Sequence, residues 1–416
     1  MRHYESSLTD HLRKWLRGFD LPQIVALLFL LTVGAVFIHS TGQQIGTAAA
    51  AETYWKHLRW IAIGGVGFLF FAHFDYRKLL VPSFFLYLLS LLLLILVFLI
   101  GVKVYGAQRW LNLPGLGMRL QPSELAKVSL VMVLSALFTS RLFSIAPEEE
   151  PRRKRRSQTL GLAMALGVAA LPFLLIVRQP DLGSALVLLP ICASIIFVAG
   201  IRWKVLSWSL LAVFLIFFLA IANEFWPHQQ VNPQTGQKET VYDGIVPLLR
   251  TYQRERLLTF LDPERDLANR GYNSYQARLA IGSGGMTGKG IGQGTQNLLG
   301  FLPQSVSNND FIFSVIAEET GFLGGLALMA GYLLLFYSII RTAIVAGDAF
   351  GRCIAVGFAA LFFVHVYINI GMSIGLAPIT GLPLPFVSYG GSFLFIGLCS
   401  MGILQSIYRY RLDFEE

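Results

Sequence analysis

The chain has 416 residues, 55% of them hydrophobic and only 14% charged, with a mean hydropathy of +0.60 and a net charge of +9. Soluble domains carry about 25% charged residues, so a water-soluble globular fold is excluded and an all-α polytopic membrane protein is expected. Cys192, Cys353 and Cys399 and the seven dispersed histidines give neither a disulfide framework nor zinc-ligand spacing.

Apolar runs of about 20 residues recur along the chain, each able to cross a bilayer as a helix. About ten are predicted, near 22–40, 58–74, 80–101, 122–140, 158–177, 182–201, 205–225, 311–340, 353–374 and 385–407. The polar N-terminus lacks a small-residue cleavage site before the long first span, so no cleaved signal peptide is expected. With the N-terminus inside, the short outside loops hold only Lys56, Arg59, Lys103, Arg109, Arg119 and Arg178, against about three times as many basic residues inside. Both termini are therefore expected in the cytoplasm. The positive charge then reflects topology and anionic lipid contact, and no nucleic-acid partner is expected. The run 148–156 (EEEPRRKRR) reads as a solvated, topogenic loop.

One membrane domain, 1–416, is expected, with a long extracytoplasmic loop, 226–310, between the seventh and eighth spans. Within that loop Trp226–Tyr242 is polar and Gln-rich and reads as a mobile loop. Residues 245–261 (IVPLLRTYQRERLLTFL) put leucines on one side and Arg250, Arg254 and Arg256 on the other, which suits a helix lying in the interface. Residues 271–281 read as a second short helix. A flexible, turn-rich stretch, 282–290 (GSGGMTGKG), follows; such backbone is tolerated at membrane depth only where protein covers it or it lines a cavity. Its Gly-Lys-Gly is not a nucleotide-binding loop: Ser283 stands at the first glycine position and Gly290 at the magnesium-binding Ser/Thr position.

Unusual polar residues collect on the outside face, in GAQRWL (106–111), RLQPSELAK (119–127), RQPDLGS (178–184) and FLPQSVSNNDFIF (301–313). Asp310 closes the long loop at the mouth of a span. It is either a helix N-cap or a general base whose pKa is raised by partial burial. Glu124 and Lys127 share a helix face at i, i+3, as a structural clasp or part of a substrate path. Asp181, after Pro180, reads first as a helix cap. Arg109, Arg119 and Lys289 suit an anionic headgroup, with lipid snorkelling as the alternative. Nucleoside triphosphates are scarce on this face. A group-transfer enzyme there needs a substrate that arrives activated, such as a lipid-linked diphosphate sugar.

Taken together, GAQRWL (106–111), QPSELAK (121–127), QPDLGS (179–184), AIGSGGMTGKGIGQGTQ (280–296), FLP…DFIFSVIAEETG (301–321) and GLAPITGLPLPFVSYGGS (375–392) resemble the SEDS family of bacterial cell-wall polymerases over nearly the whole chain. Stretch 280–296 and the GLPLPFVSYGGS ending are closer to its rod-shape-determining, elongation-type branch than to its division-type branch. The resemblance implies a peptidoglycan glycosyltransferase that polymerises lipid II on the outer face of the bacterial cytoplasmic membrane. Asp310 then occupies the position of the family's essential aspartate, and Glu124 and Lys127 match its charged pair. Asn309 stands where the family usually has Thr, Gln304 where it usually has Glu, and 226–242 resembles an insertion.

On that reading Asp310 takes the proton from the acceptor sugar's 4-hydroxyl in one inverting displacement that releases undecaprenyl diphosphate. Arg109, Arg119, Lys127 or Lys289 would stabilise the leaving diphosphate, with Gln121, Glu124 and Asp181 shaping the site. A divalent cation, magnesium or manganese, would be held mainly by the diphosphate. The resemblance also implies a class B penicillin-binding protein and other elongation-complex membrane proteins as partners. A flippase for the lipid-linked precursor and a non-catalytic scaffold are the alternative readings.

Overall fold

The computed structural model describes residues 18–45, 48–104, 107–113, 118–140, 151–202 and 271–414, with scattered positions between 204 and 260. The fold is a bundle of long apolar helices: α1 Leu21–Ile45, α2 Ala48–His73, α3 Pro82–Ile100, α4 Pro122–Thr139, α5 Pro151–Arg178, α6 Leu182–Val198, the shorter α7 Tyr272–Ser283, then α8 Ile312–Val345, α9 Ala349–Ser373 and α10 Gly391–Tyr410. Among the described residues, α1, α3, α4, α5, α8, α9 and α10 are long and apolar enough to cross a membrane, and α6 is a shorter apolar helix. α2 falls on the second predicted span. The described positions of the seventh predicted span are helical, but most of it lies outside the described residues.

Lipid inverts the usual relation between hydrophobicity and burial, because helices in a bilayer associate through packing and polar contacts. α3, almost all Leu, Phe and Ile, turns much of its surface outward, with Phe85, Leu88, Leu92 and Leu99 exposed. α4, with its serines, alanines, Glu124 and Lys127, is buried along nearly its whole length. Ser90 Oγ meets Ser129 Oγ at 2.8 Å between these two helices. α10 is the second buried pillar and packs along α2.

Five sequence expectations need correction. The basic run 151–156 is not loop: α5 begins at Pro151, a residue preorganised for the first helical position. Trp226–Tyr242 contains an antiparallel hairpin, β4 His228–Val231 and β5 Lys238–Val241, in register His228↔Val241. A second antiparallel sheet joins β1 Val102–Val104, β2 Ala107–Leu113 and β3 Met118–Leu120, with Asn112 opposite Arg119. The last span starts at Gly391 instead of 385, because Pro383 and Pro385 lie in a non-helical loop, 381–390.

The fifth correction concerns the eighth predicted span. α8 breaks at Gly321, whose φ of 67° and ψ of −163° are open only to glycine. Every side chain from Ile312 to Glu319 is buried, whereas Phe322, Leu323, Leu326, Leu333, Tyr337, Ile340 and Ile344 are exposed in the manner of a lipid-facing stripe. At about 1.5 Å per residue, 322–345 alone reaches about 36 Å and covers a hydrocarbon core of about 30 Å. The crossing therefore starts after Gly321, and 312–320 is an arm packed inside protein.

Candidate active site

Asp310 sits in a turn between a single helical turn, Gln304–Ser307, and the arm. Val306 C=O accepts the N–H groups of Asp310 at 3.0 Å and Phe311 at 3.1 Å. The helix cap is Phe311, with no capping side chain, so Asp310 is not the N-cap. Loop 381–390 wraps this turn. Ser388 Oγ donates to Asn309 C=O at 2.6 Å, and Tyr389 N–H donates to Asn308 C=O at 2.8 Å. From α9, Asn369 Nδ2 donates to Asp310 C=O at 3.0 Å and to Leu382 C=O at 2.8 Å. Five hydrogen bonds, from the 304–307 turn, loop 381–390 and α9, thus fix the main chain around Asp310.

The Asp310 carboxyl accepts no hydrogen bond from the described residues. Gly381 faces it, at a φ of 76°; a Cβ there would stand 3.4 Å from Asp310 Oδ2. Burial lifts the Asp310 pKa from 3.8 to about 6, while the guanidinium groups of Arg256 and Arg109 pull it back. Desolvation outweighs attraction, and the result is a carboxylate that is ionised at neutral pH and still a competent proton acceptor.

Arg109 is carried by β2. Its Nε donates to Gln179 C=O at 3.3 Å, Nη2 donates to Pro180 C=O, and Nη1 lies 3.7 Å from Asp181 Oδ1. Asp181 caps α6, accepting from Ser184 N–H at 3.3 Å, and takes a second bond from Gln121 Nε2 at 3.1 Å. The cap reading of Asp181 holds, and the same carboxylate orients Arg109. Arg256, in the partly described 245–261 stretch, donates from Nη1 to Ile379 C=O at 2.9 Å.

Below this shell lies the charged pair. Lys127 Nζ is 2.7 Å from Glu124 Oε2 and 3.0 Å from His365 Nε2, and both charged side chains are buried. His365 Nδ1 meets Pro383 C=O at 3.2 Å, and its ring stacks on Phe393 at 4.5 Å. A carbonyl can only accept, so Nδ1 carries the proton and Nε2 offers its lone pair to the ammonium. The geometry is a clasp running from α4 through α9 to loop 381–390.

Arg109 and Gln121 thus meet on Asp181, Glu124 pairs with Lys127, and Asp310 lies within the field of Arg109. Arg119 is exposed on β3, and its charge acts on Tyr389. Lys289 is engaged elsewhere: Nζ lies 2.6 Å from both Glu318 Oε1 and Thr295 Oγ1. Sequence reasoning missed Asn369, His365, Gly381 and Ser388. His365 and Asn369 were findable, as costly polar residues one turn apart in an apolar span. Arg256 was noted only as part of a basic helix face. Among the described residues, no three His, Cys, Asp or Glu side chains gather as a metal cluster.

Residues 21–412 match the family of cell cycle proteins FtsW, RodA and SpoVE. The chain belongs to this family. It is 36% identical to the peptidoglycan glycosyltransferase MrdB of Escherichia coli K12, over 94% of each chain. It is 31% identical to the peptidoglycan glycosyltransferase RodA of Treponema pallidum, over 94% of this chain and 97% of that one. Division-type FtsW relatives also match, at 32% identity for that of Geobacter strain M18. Among solved structures, a chain from work on polymerization and crosslinking by a peptidoglycan synthase complex superposes with a TM-score of 0.71 at 27% identity, over 94% of this chain and 98% of that one. The crystal structure of Thermus thermophilus RodA superposes with a TM-score of 0.63 at 25% identity, covering 94% of this chain and 97% of that one. The RodA-type reading of the sequence agrees with these matches.

Proposed function

We propose that this chain is a peptidoglycan glycosyltransferase that polymerises lipid II on the outer face of the bacterial cytoplasmic membrane, with both termini inside. The observation that carries the reading is the Asp310 carboxyl: half-buried, without a hydrogen bond from the described residues, its pKa near 6, and within reach of two guanidinium charges. A general base needs a free lone pair at a suitable pKa; a departing diphosphate needs fixed cations. The relatives named as peptidoglycan glycosyltransferases support the substrate class.

In the mechanism Asp310 accepts the proton of the acceptor's 4-hydroxyl as that oxygen attacks the anomeric carbon of the lipid-linked donor. The bond to undecaprenyl diphosphate breaks, and the anomeric centre inverts. Asp181 is tied to Arg109, Gln121 and Ser184, which leaves Asp310 as the untied carboxylate among the described residues of the site, as a single displacement requires. Arg109 and Arg256 are the cations best placed for the diphosphate, because both act on Asp310, whereas Lys289 is held 2.6 Å from Glu318. A divalent cation would be carried mainly by the diphosphate oxygens. The partner is a class B penicillin-binding protein, in keeping with the synthase complex to which a structural neighbour belongs; other elongation-complex membrane proteins would join them.

The test is polymerisation of lipid II by the purified chain with its cognate penicillin-binding protein, comparing wild type with Asp310→Asn. Glycan ladders from wild type and none from the folded variant are expected. Equal ladders from both would remove Asp310 as the base. None from either, with lipid II crossing the bilayer in proteoliposomes, would favour the flippase reading.

A further inference from the structure

The break at Gly321 has a partner. A Cβ on Gly321 would collide with Gly288 N and with the Met286 backbone, and one on Gly288 would collide with the Glu319 carbonyl. The glycine-rich loop fits into the break and satisfies it. Lys289 N–H and Gly290 N–H donate to the carbonyls of Glu318 and Glu319, at 3.1 and 2.9 Å, at the end of the arm. Phe322 and Leu323 N–H donate to the carbonyls of Gly285 and Met286, at 2.9 and 3.1 Å, at the start of the crossing helix. These are the orphan groups that any helix end must pair.

Two buried carboxylates sit at this junction, and neither has a place in the mechanism above. Glu318 and Glu319 are each 1% exposed. Consecutive helical residues point about 100° apart, so the two reach different elements. Glu318 Oε1 accepts from Lys289 Nζ at 2.6 Å, Thr295 Oγ1 at 2.8 Å and Gln296 N–H at 3.2 Å. Glu319 accepts from Ser40 Oγ of α1 at 2.7 Å and from Gly292 N–H at 3.0 Å. Beside Ser40, Thr41 Oγ1 bonds Asn308 Oδ1, at the other end of the arm. α1 therefore braces the arm at both ends, and the loop clamps its far end.

We propose that Glu318 and Glu319 are positioning residues for catalysis, locking the far end of the 312–320 arm to the glycine-rich loop and α1 so that Asp310 is held at its near end. The arm is about 13 Å long, so a small tilt at Gly321 becomes a displacement of the base. Catalytic geometry tolerates about 0.5 Å. On this view Lys289 serves the lock and not the diphosphate. The proposal rests on the polymerase reading for its kinetic arm but not for its structural one.

The experiment is a double-mutant cycle on the complex with the penicillin-binding protein: Lys289→Met, Glu318→Gln and the pair, with Glu319→Gln alongside. Each single variant should lower kcat about tenfold or more with KM for lipid II within about twofold. The double variant should be no slower than the worse single, because both remove one lock. The acidic limb of the pH profile should stay where Asp310 sets it. Losses that multiply, with KM rising in Lys289→Met, would make Lys289 a substrate ligand and overturn the proposal; so would full activity in both glutamine variants.

Should the glutamine variants not fold, Thr295→Val and Ser40→Ala each remove one donor and should still lower kcat at unchanged KM; unchanged kcat in both would overturn the lock. Amide exchange, read without substrate, separates the two hypotheses. Glu318→Gln, or Thr295→Val in its place, should speed exchange at Lys289 and Gly290 even if wild type makes no glycan. Unchanged exchange would overturn the lock whatever the chemistry.

Discussion

At the scale of the residue, Asp310 binds a proton more readily folded than unfolded, because burial disfavours its charged form. A base must be ionised, so polymerisation should fall as pH drops through about 6 and plateau above it; the pH–rate profile checks this. The same raised pKa means that the charged carboxylate costs stability at neutral pH, a cost that fades as pH falls through about 6. Asp310→Asn should therefore lose about a hundredfold or more in rate while its melting temperature equals or exceeds wild type. Arg256→Met removes the larger of the two attractions that lower the Asp310 pKa. Its acidic limb should move to higher pH, and that of Arg109→Met should move less. Limbs that stay put would place these guanidinium groups too far from the carboxyl to act on it. Asp310 was legible in the sequence as a charge at the mouth of an apolar run. Its freedom from capping was not, because a helix start at 312 and one at 311 leave the same sequence signature.

At the scale of the element, the clasp of Glu124, Lys127 and His365 joins two helices whose apolar faces alone would slide in lipid. Lys127→Met should leave Glu124 charged and uncompensated in the interior and cost about 3–5 kcal/mol. Adding Glu124→Gln should recover part of that loss, as read by thermal unfolding in detergent. Gly321→Ala and Gly288→Ala each put a Cβ into the opposing backbone at a positive φ, and each should lower both melting temperature and rate. Most helices were legible because runs of Leu, Ile and Phe are their own signature in lipid. The break in α8 was hidden inside such a run, where Gly321 is a single letter among apolar neighbours. Loop 381–390 was misread for a related reason. Leu382, Leu384, Phe386 and Val387 are buried against protein, so an irregular segment carries the composition of a span. Strands β1 to β3 are three to seven residues long, too short to show a period beside such spans.

At the scale of the whole molecule, Arg109, Arg119 and Asp310 gather at one end of the bundle, the end that the charge-derived topology expects outside. Cysteine labelling tests that orientation. Arg119→Cys, on an exposed strand position, should react with a membrane-impermeant maleimide in intact cells stripped of outer barriers. Lys78→Cys, exposed between α2 and α3, should react only after the membrane is opened. Cys192 and Cys353 are buried, which keeps the background low. The division of α8 at Gly321 carries one more consequence. Spanning helices tilt when the bilayer thickens or thins around them. Here the helix that must tilt, 322–345, is joined to the arm bearing Asp310 through a glycine hinge whose backbone is paired to the loop instead of continuing the helix. Because the bonds to the loop and α1 hold the arm, a tilt of 322–345 should bend this joint and leave the carboxylate in place, so the rate should vary little with acyl-chain length in vesicles.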